Sequence, residues 1–209
     1  MSLIGIVDYD CGNIKSLANA IKFLGYEFKL IEKKEELSQF QKIILPGVGA
    51  FDHAIESLHK KDLFVAIQEW SNNDSNKLLG ICLGMQLLCK DSEESLKNNK
   101  GLNLIDANVM SLSDKLKSND KVPHMGWNEI NLIENKTFNN ENDKRDFYFV
   151  HSYAVFVNNE KFSLAKTDHG DSSFDSMIFN GQNVFGAQFH PEKSHHQGLN
   201  LVKNFIDNA

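Results

Sequence analysis

A cysteine between two glycines is the pattern in this chain with the clearest capacity for chemistry. Cys82 lies between Gly80 and Gly84, where an apolar segment with strand character gives way to one with helix character. Small flanking residues allow a sharp strand-to-helix turn that lifts the central side chain to the edge of the sheet. We expect Cys82 to lie at a helix N-terminus, where the helix dipole favours the nucleophilic thiolate. A buried structural cysteine is the alternative interpretation.

A histidine and a glutamate near the end of the chain supply the other groups that a cysteine nucleophile needs. His190 and Glu192 follow a predicted strand and precede the last helix, and Pro191 restricts the backbone between them. A base must take the thiol proton and return it to the leaving amine, and a carboxylate must fix the tautomer of that base. The sequence therefore predicts a triad of Cys82, His190 and Glu192. The alternative is a turn histidine beside a helix-start carboxylate.

Acyl transfer also requires hydrogen-bond donors for the negative oxygen that develops on the substrate. The segment LPGVGAF at residues 45–51 leaves a predicted strand with two glycines, and such a loop can turn backbone N–H groups toward one point. The amide of Val48 or Gly49 is one predicted donor, and the amide of Leu83, which follows the nucleophile, is the other. A plain strand-to-helix turn is the alternative for this segment.

Length and composition describe one ordinary globular domain. The 209 residues include 41% hydrophobic and 24% charged residues without a Pro/Gly/Ser-rich linker, so we predict a single domain over residues 1–209. No apolar run approaches the roughly 20 residues that cross a bilayer. The N-terminal segment lacks the basic region of a signal peptide, and we expect a cytoplasmic protein without membrane contact.

Charge and cysteine content argue against several kinds of site. The net charge is −6 and the chain has one arginine, Arg145, which gives no indication of a nucleic-acid partner. Three cysteines without metal-ligand spacing favour a reducing compartment over a disulfide framework or a zinc site. We interpret Cys11 and Cys89 as structural. His195 and His196 have no evident third ligand, and we predict neither a metal nor a cofactor.

Strand-like and helix-like segments alternate in the first half of the chain, which predicts right-handed crossovers and a parallel sheet. Strands are predicted at 3–7, 28–31, 43–45 and 78–81, with helices at 13–24 and within 50–70. Shorter strand-like segments follow at 108–112, 127–133, 147–157, 163–166, 176–179 and 184–188, with an exposed loop at 139–144 and a final amphipathic helix. We predict an α/β fold with an open, mostly parallel sheet flanked by helices and an antiparallel extension in the C-terminal half.

Several segments carry a resemblance to a known family. GICLGMQ at 80–86 with HPE at 190–192 resembles the class I, triad-type glutamine amidotransferases, whose glutaminase domain releases ammonia from glutamine. The segments at 45–51, VPHMGWN at 122–128, FYFVHSY at 147–153 and FHPEKS at 189–194 are similar to glutaminase subunits of imidazole glycerol phosphate synthase. The resemblance implies a class I amidotransferase-like fold. It also implies that Cys82 attacks the glutamine side-chain amide, that His190 protonates departing ammonia, and that Glu192 supports His190.

The same resemblance implies the groups that bind substrate and partner. Gly49, Gln86, His151 and Ser152 would hold glutamine. A (β/α)8-barrel cyclase would form a heterodimer with this chain, receive its ammonia, and make imidazole glycerol phosphate and AICAR in histidine biosynthesis. The surface for that cyclase, called the docking surface below, comprises His124, Met125, Gly126, Trp127, Asn128 and Lys193. Lys193 would make an intersubunit ion pair, whereas core packing is the alternative for Met125 and Trp127.

Departures from the family pattern keep other functions open. His169 stands where the family usually has tyrosine, Asn103 interrupts a Gly-Leu-Gly-Leu pattern, and arginine is nearly absent. A paralogous glutaminase that feeds a different barrel synthase, such as one that aminates a surface sugar, is one alternative. A stand-alone cysteine hydrolase and a silent binding module are others. We also expect the loop Gly47-Val48-Gly49 to reorient into a competent oxyanion hole when the partner's ligand binds.

Overall fold

The N-terminal half of the chain builds a parallel sheet between helices. The computed structural model describes residues 3–115, 121–133 and 145–209, and the predicted loop at 139–144 lies outside them. The strands of this half are β1 (Ile4–Val7), β2 (Phe28–Ile31), β3 (Lys42–Leu45) and β4 (Lys77–Ile81). The helices are α1 (Ile14–Phe23), α2 (Phe51–Lys60), α3 (Leu63–Ser71) and α4 (Leu83–Leu88), with a 3₁₀ turn at Lys34–Gln39. The strands pair in the order β2-β1-β3-β4, all parallel.

Alternating side chains explain why helices cover both faces of this sheet. In β3, Ile43 and Leu45 belong to one hydrophobic cluster and Ile44 to the other, because successive strand residues point to opposite faces. Helices α2 and α3 pack in the first cluster, and α1 packs in the second through Leu17 and Ile21. None of the described helices is long and apolar enough to span a bilayer.

Local signals set the ends of the helices. The Asn13 side chain accepts a hydrogen bond from the Ser16 amide at 3.3 Å at the start of α1, and Gly25 follows its end with a φ of +85°. The single helical region predicted between residues 50 and 70 is two helices. Asp62 separates them with a φ of 56°, a left-handed conformation that a helix cannot contain.

The C-terminal half extends the sheet with antiparallel strands. Its strands are β5 (Asp91–Ser92), β6 (Ala107–Ser111), β7 (His124–Glu129), β8 (Asn131–Leu132), β9 (Asp146–His151), β10 (Tyr153–Val157), β11 (Ser163–His169), β12 (Ser172–Phe179) and β13 (Val184–Ala187). Its helices are α5 (Leu112–Lys115) and α6 (His195–Asn208), and α6 packs on the same face as α1. Strand β13 pairs parallel with β4 and antiparallel with β12, so it joins the two halves. The predicted α/β fold with its antiparallel extension is confirmed.

One predicted strand is wrong in a way that matters for the site. The segment 147–157 is two strands in different sheets: β9 pairs with β7 in a separate two-stranded sheet, and β10 joins the large sheet beside β6 and β12. The buried positions show the break, because they alternate as Phe147, Phe149 and His151 and then change phase to Ala154. The chain crosses between the sheets at Ser152, and this crossing lies beside Cys82.

Candidate active site

Backbone geometry presents Cys82 at the end of β4. Cys82 has φ 53° and ψ −111°, a strained conformation for a residue other than glycine, and its amide donates to the Ala187 carbonyl at 2.8 Å. A Cβ atom on Gly84 would lie 1.9 Å from the Leu45 carbonyl oxygen, and one on Gly80 would lie 2.7 Å from the Gly84 carbonyl oxygen. Only glycine fits at these two positions of the sharp turn. Stabilisation of the thiolate by the short helix α4 stays a prediction.

His190 and Glu192 form a buried pair after β13. The distance between His190 Nδ1 and Glu192 Oε1 is 2.9 Å, and the side chains are 2% and 4% exposed. Because a carboxylate oxygen accepts, Nδ1 carries a proton, and the buried Nε2 makes no hydrogen bond of ordinary geometry within the described residues. Burial lowers the pKa of His190, but interactions with Cys82 and Glu192 outweigh it and raise the pKa to about 9. These interactions therefore favour a positively charged His190 ring beside the Cys82 thiol.

A cavity of about 320 Å³ brings most of the predicted site residues together. The predicted residues that line it are Cys82, His190, Val48, Gly49, Leu83, Gln86, His151, Ser152 and Lys193. Its other lining residues are Glu94, Val150 and Tyr153. The parallel half contributes Cys82 and the glycine loop, and the antiparallel half contributes His190 and the wall at residues 150–153. The volume is of the size that a single amino acid requires.

Two buried glutamine side chains connect the cavity wall to the nucleophile. Gln86 Nε2 donates to the Tyr153 carbonyl at 2.9 Å and to Gln188 Oε1 at 3.2 Å. Gln188 Nε2 in turn lies 3.9 Å from Cys82 Sγ, within the range of a hydrogen bond to sulfur. Gln188 is fully buried, and sequence reasoning missed it. Its place two residues before His190, directly after β13, was the available signal.

Both ring nitrogens of His151 are already used. Nδ1 lies 2.9 Å from the Tyr153 carbonyl oxygen, and Nε2 lies 3.1 Å from Nδ1 of His124. Burial and the nearby His124 lower the pKa of His151 to about 3, so the ring is neutral. His151 therefore offers no free nitrogen to a substrate and lines the cavity through the rest of the residue.

The predicted oxyanion loop has one amide turned away from the cavity. The Val48 amide donates to the Cys11 carbonyl at 3.4 Å, which is a long hydrogen bond. Gly49, the next residue, has φ +107° and no atom within 4 Å of the place a Cβ would occupy, so space is open beside this part of the loop. Beside it, a Cβ on Gly47 would lie 2.6 Å from the Gly84 amide nitrogen. The loop thus adjoins the nucleophile turn, and the Val48 amide must reorient before it can donate to an oxyanion.

Comparison with known proteins identifies the family. Residues 6–209 match the family model described as glutamine amidotransferase class-I. The chain belongs to the class-I glutamine amidotransferase family. The imidazole glycerol phosphate synthase subunit HisH 2 of Methanococcus maripaludis is 40% identical over 208 residues, covering 99% of this chain and 100% of that protein. HisH of Bacillus mycoides is 42% identical over 204 residues, covering 97% and 93%. These identities place this amidotransferase among the HisH subunits and confirm the resemblance inferred from its motifs.

Solved structures agree with the fold of this amidotransferase. A structure of PurLQS from Thermotoga maritima has a TM-score of 0.74 and 16% identity, and the match covers 99% of both chains. A crystal structure titled as a glutamine amidotransferase has a TM-score of 0.71 and 20% identity, and the match covers 98% of this chain and 97% of that one. At these identities the likeness concerns the fold alone.

The docking surface of this amidotransferase divides into exposed and internal residues. Met125 and Trp127 are 62% and 47% exposed, and the Trp127 ring stacks on His195 at 4.8 Å between centroids. The core-packing alternative for these two residues is therefore wrong. His124 is only 4% exposed, and Asn128 uses its amide within the chain, donating to His124 and to the Asp168 carbonyl. The His124 side chain is thus buried away from a partner, and the half-buried Asn128 amide is already hydrogen-bonded within the chain.

Sequence reasoning missed the acidic wall of the cavity. Glu94 lines it, and burial, assisted by the charge of Asp52, raises the pKa of Glu94. Asp52, in the first turn of α2, accepts hydrogen bonds from Ser95, Leu96, Lys97 and Asn99 and so holds the loop that follows Glu94. No sequence motif marks Glu94, because its place in the site depends on this long-range clamp.

The described residues contain no group of three or more His, Cys, Asp or Glu side chains arranged to hold a metal ion. All three cysteines are free, buried thiols: Cys89 donates to the Met85 carbonyl, and Cys11 contacts the Ser57 hydroxyl. Their packing agrees with a structural role for Cys11 and Cys89.

Proposed function

We propose that this amidotransferase is the glutaminase subunit of an imidazole glycerol phosphate synthase. It hydrolyses glutamine to glutamate and ammonia, and it passes the ammonia to a (β/α)8-barrel cyclase in a heterodimer of the histidine pathway, located in the cytoplasm. The observation that carries the proposal is the buried His190–Glu192 pair, whose histidine lines the same cavity of about 320 Å³ as Cys82.

The first half of the reaction forms a thioester. Cys82 Sγ attacks the side-chain carbonyl carbon of glutamine while His190, held by Glu192, receives the thiol proton. The negative oxygen is stabilised by backbone amides of Leu83 and of Val48 or Gly49. When the C–N bond breaks, His190 returns the proton to the nitrogen, and ammonia leaves. The second half adds water with His190 as base, which releases glutamate and regenerates the thiol.

Charge supports a pose for the substrate. Glu94 lines the cavity as a carboxylate and would accept from the α-ammonium group of glutamine. The walls at Gly49, Gln86, His151 and Ser152 would enclose the rest of the molecule. In this pose, the side-chain amide points toward Cys82 at the inner end of the cavity.

The state of the loop supports control by the partner. The Val48 amide is bonded to Cys11, so it cannot join the oxyanion hole until the peptide between Gly47 and Val48 rotates. A glutaminase that waits for its acceptor avoids releasing ammonia into water, where it becomes protonated and loses its nucleophilicity. Cyclase binding at Met125 and Trp127, with an ion pair from Lys193, would supply the signal.

The test mixes the purified protein with its candidate cyclase and measures glutamate release with and without the imidazole-precursor nucleotide. We expect release to require Cys82 and to increase when both cyclase and nucleotide are present. Glutamate formation at the wild-type rate by Cys82→Ala would overturn the nucleophile assignment. An unchanged rate on adding cyclase and nucleotide would overturn partner control.

The names of two relatives support the alternative in which this chain delivers ammonia to a different synthase. HisH 2 of Methanococcus maripaludis and HisH 2 of Pseudomonas aeruginosa are 40% and 38% identical to this chain and are named as numbered subunits. His169 and Asn103 are departures that a paralogue feeding another barrel synthase could carry. Ammonia release is identical in both cases, so the acceptor decides. A cyclase that forms no complex with this chain and does not change its glutaminase rate would favour the paralogue.

A further inference from the structure

A chain of hydrogen bonds runs from the docking surface to the wall of the cavity. The Asn128 amide nitrogen lies 3.1 Å from His124 Nε2, and His124 Nδ1 lies 3.1 Å from His151 Nε2. His151 Nδ1 then lies 2.9 Å from the Tyr153 carbonyl oxygen. His124 and His151 stand opposite each other in the β7–β9 pair, so the strand register brings the two rings together.

Both ends of this chain determine which atom donates. A carbonyl oxygen can only accept, so His151 Nδ1 carries the proton and its Nε2 accepts from His124 Nδ1. At the other end, Asn128 Nδ2 donates to the Asp168 carbonyl at 2.8 Å, and its Oδ1 accepts from the Glu129 amide at 2.8 Å. The second hydrogen of Nδ2 is therefore directed to His124 Nε2. The two assignments agree only when both rings are neutral and both carry the proton on Nδ1.

The surroundings keep the two rings neutral. Burial and the adjacent His169 lower the pKa of His124 to about 4, and burial and His124 lower that of His151 to about 3. The ring centroids of His169 and His124 are 4.3 Å apart, and His169 Nε2 lies 3.0 Å from the Lys121 carbonyl oxygen. A proton added to either ring would set two donors against each other and break the chain.

The inner end of the chain meets the groups that shape the cavity. The Tyr153 carbonyl that accepts from His151 also accepts from Gln86, which holds Gln188 next to the thiol of Cys82. Residues 151–153 are the crossing from β9 to β10 and line the cavity. His124 is not among the residues that line the cavity, and its hydrogen bond to the cavity wall goes to His151.

We infer that His124 is a positioning residue for glutamine binding: together with the Tyr153 carbonyl it fixes the tautomer of His151, and it thereby holds the Tyr153 carbonyl and the cavity wall that orient Gln86. This assigns His124 and Asn128 an internal role in place of the direct docking role that the sequence predicts. The kinetic part of the inference rests on the proposed function, whereas the tautomer of His151 can be tested without it.

Two variants distinguish the hydrogen bond that His124 Nδ1 donates from the space that its ring fills. Asparagine places an amide nitrogen close to where Nδ1 lies, whereas phenylalanine keeps the ring and removes both nitrogens. In the complex with cyclase and nucleotide, we expect His124→Phe to raise KM for glutamine about three- to tenfold with little change in kcat, because one orienting neutral hydrogen bond is lost. We expect His124→Asn to keep KM within about twofold. His59→Phe, at an exposed position that already stacks on Phe64, controls for the loss of a histidine.

Nitrogen NMR of the ring signals shows which ring nitrogen of His151 carries the proton. A purely structural role of His124 would leave that tautomer unchanged. In the free wild-type subunit we expect His151 as the Nδ1–H tautomer, and in His124→Phe a shift toward a mixture of tautomers. Thermal unfolding of each variant confirms that the measurements are made on folded protein, and if His124→Phe does not fold, His124→Asn and Asn128→Leu carry the same NMR test.

The outcomes are separable. If folded His124→Phe keeps both the wild-type KM and the wild-type His151 tautomer, or if His124→Asn is impaired as strongly as His124→Phe, the inference is wrong. If instead the wild-type complex releases no glutamate, the proposed function fails, and the tautomer measurement still decides whether His124 sets the state of His151.

Discussion

In the parallel half of the molecule Cys82 is held by backbone geometry, whereas in the antiparallel half His190 is held by side-chain hydrogen bonds. The turn at Cys82 depends on Gly80 and Gly84, whose missing side chains let the chain approach Leu45 closely. His190 depends on Glu192, and its backbone is tied to β9 by the bond from its amide to the Tyr148 carbonyl and by Ser194, which bridges the same two residues.

The difference has a physical consequence for the reaction. A nucleophile must be presented at a fixed place, and steric exclusion does this without polar groups that would compete for the thiol. A base must change its charge during the reaction, so it needs partners that respond to charge, and a carboxylate is one. Substitutions at the Cys82 turn should therefore mainly lower the stability of the protein. Substitutions at the His190–Glu192 pair should mainly impair proton transfer.

The largest effect is expected at the base. Glu192→Gln removes a group that raises the pKa of His190, so that pKa should fall from about 9. Loss of the orienting carboxylate should lower kcat by about 10²- to 10⁴-fold. Steady-state glutamate release and a proton NMR titration of the His190 ring measure the two effects. The exposed Glu69→Gln is the control, and an unaltered pKa of His190 in Glu192→Gln would contradict the role assigned to this pair.

A loss of stability is expected on the nucleophile side. Gly84→Ala places a Cβ atom 1.9 Å from the Leu45 carbonyl oxygen, and the displaced backbone should reduce the free energy of unfolding by about 3 kcal/mol or more. Gly181→Ala is the matched control, because Gly181 has φ +89° and open space around it, so only strain of about 1 kcal/mol is expected. Urea denaturation of both variants measures the difference. Equal destabilisation would show that close packing does not hold the turn.

The exposed part of the docking surface should matter for the partner alone. Trp127→Ala and Met125→Ala should each weaken cyclase binding by about 2 kcal/mol, as expected for apolar anchors in an interface. Neither substitution should change the thermal stability of the free subunit much, because both side chains are largely exposed. Phe23→Ala, at the end of α1 and 79% exposed, is the control. Calorimetric titration with the cyclase measures the affinities, and equal weakening by Phe23→Ala would remove the special status of residues 125 and 127.

The last effect concerns the dependence of stability on pH, in which the histidines act with opposite sign. As the pH falls from 6.5 toward 4, the unfolded chain binds protons at His124 and His151 that the folded chain does not, so the free energy of unfolding falls. The raised pKa of His190 contributes stability that is fully present below pH 6.5 and is lost as the pH rises through 9. Urea denaturation over this range should show a weaker acid-side decline in His124→Phe. An identical decline would mean that His124 does not contribute.

The elements that sequence patterns predicted well are those stabilised by local signals. Strands β1 to β4 are short apolar runs, and α1 follows its N-cap Asn13 and ends before Gly25, as these residues indicate. The sequence predicted helical structure within residues 50–70 without locating a break, because the break at Asp62 depends on a backbone conformation that no single residue type indicates.

The site divides in the same way. The residue types of Cys82, His190 and Glu192 indicate their chemistry, and the spacing of the flanking glycines predicts the sharp turn. With the family resemblance, these signals were enough to predict the candidate triad from the sequence. The sequence did not predict the positions of Glu94 and Gln188 in the site, or the neutral Nδ1–H tautomer of His124. Each depends on a partner far along the chain: Asp52 for the loop after Glu94, Gln86 for Gln188, and His151 for His124.

By itself, then, the sequence determined which groups can react, which family the chain resembles and where β1 to β4 and α1 lie, because these depend on residue type and short-range spacing. Only the tertiary structure decided which residues of segment 122–128 face outward and which face inward. It also decided that β9 and β10 separate at Ser152, and that the Val48 amide is bonded to Cys11. These outcomes depend on strand register and on hydrogen bonds between residues that only the folded chain brings together.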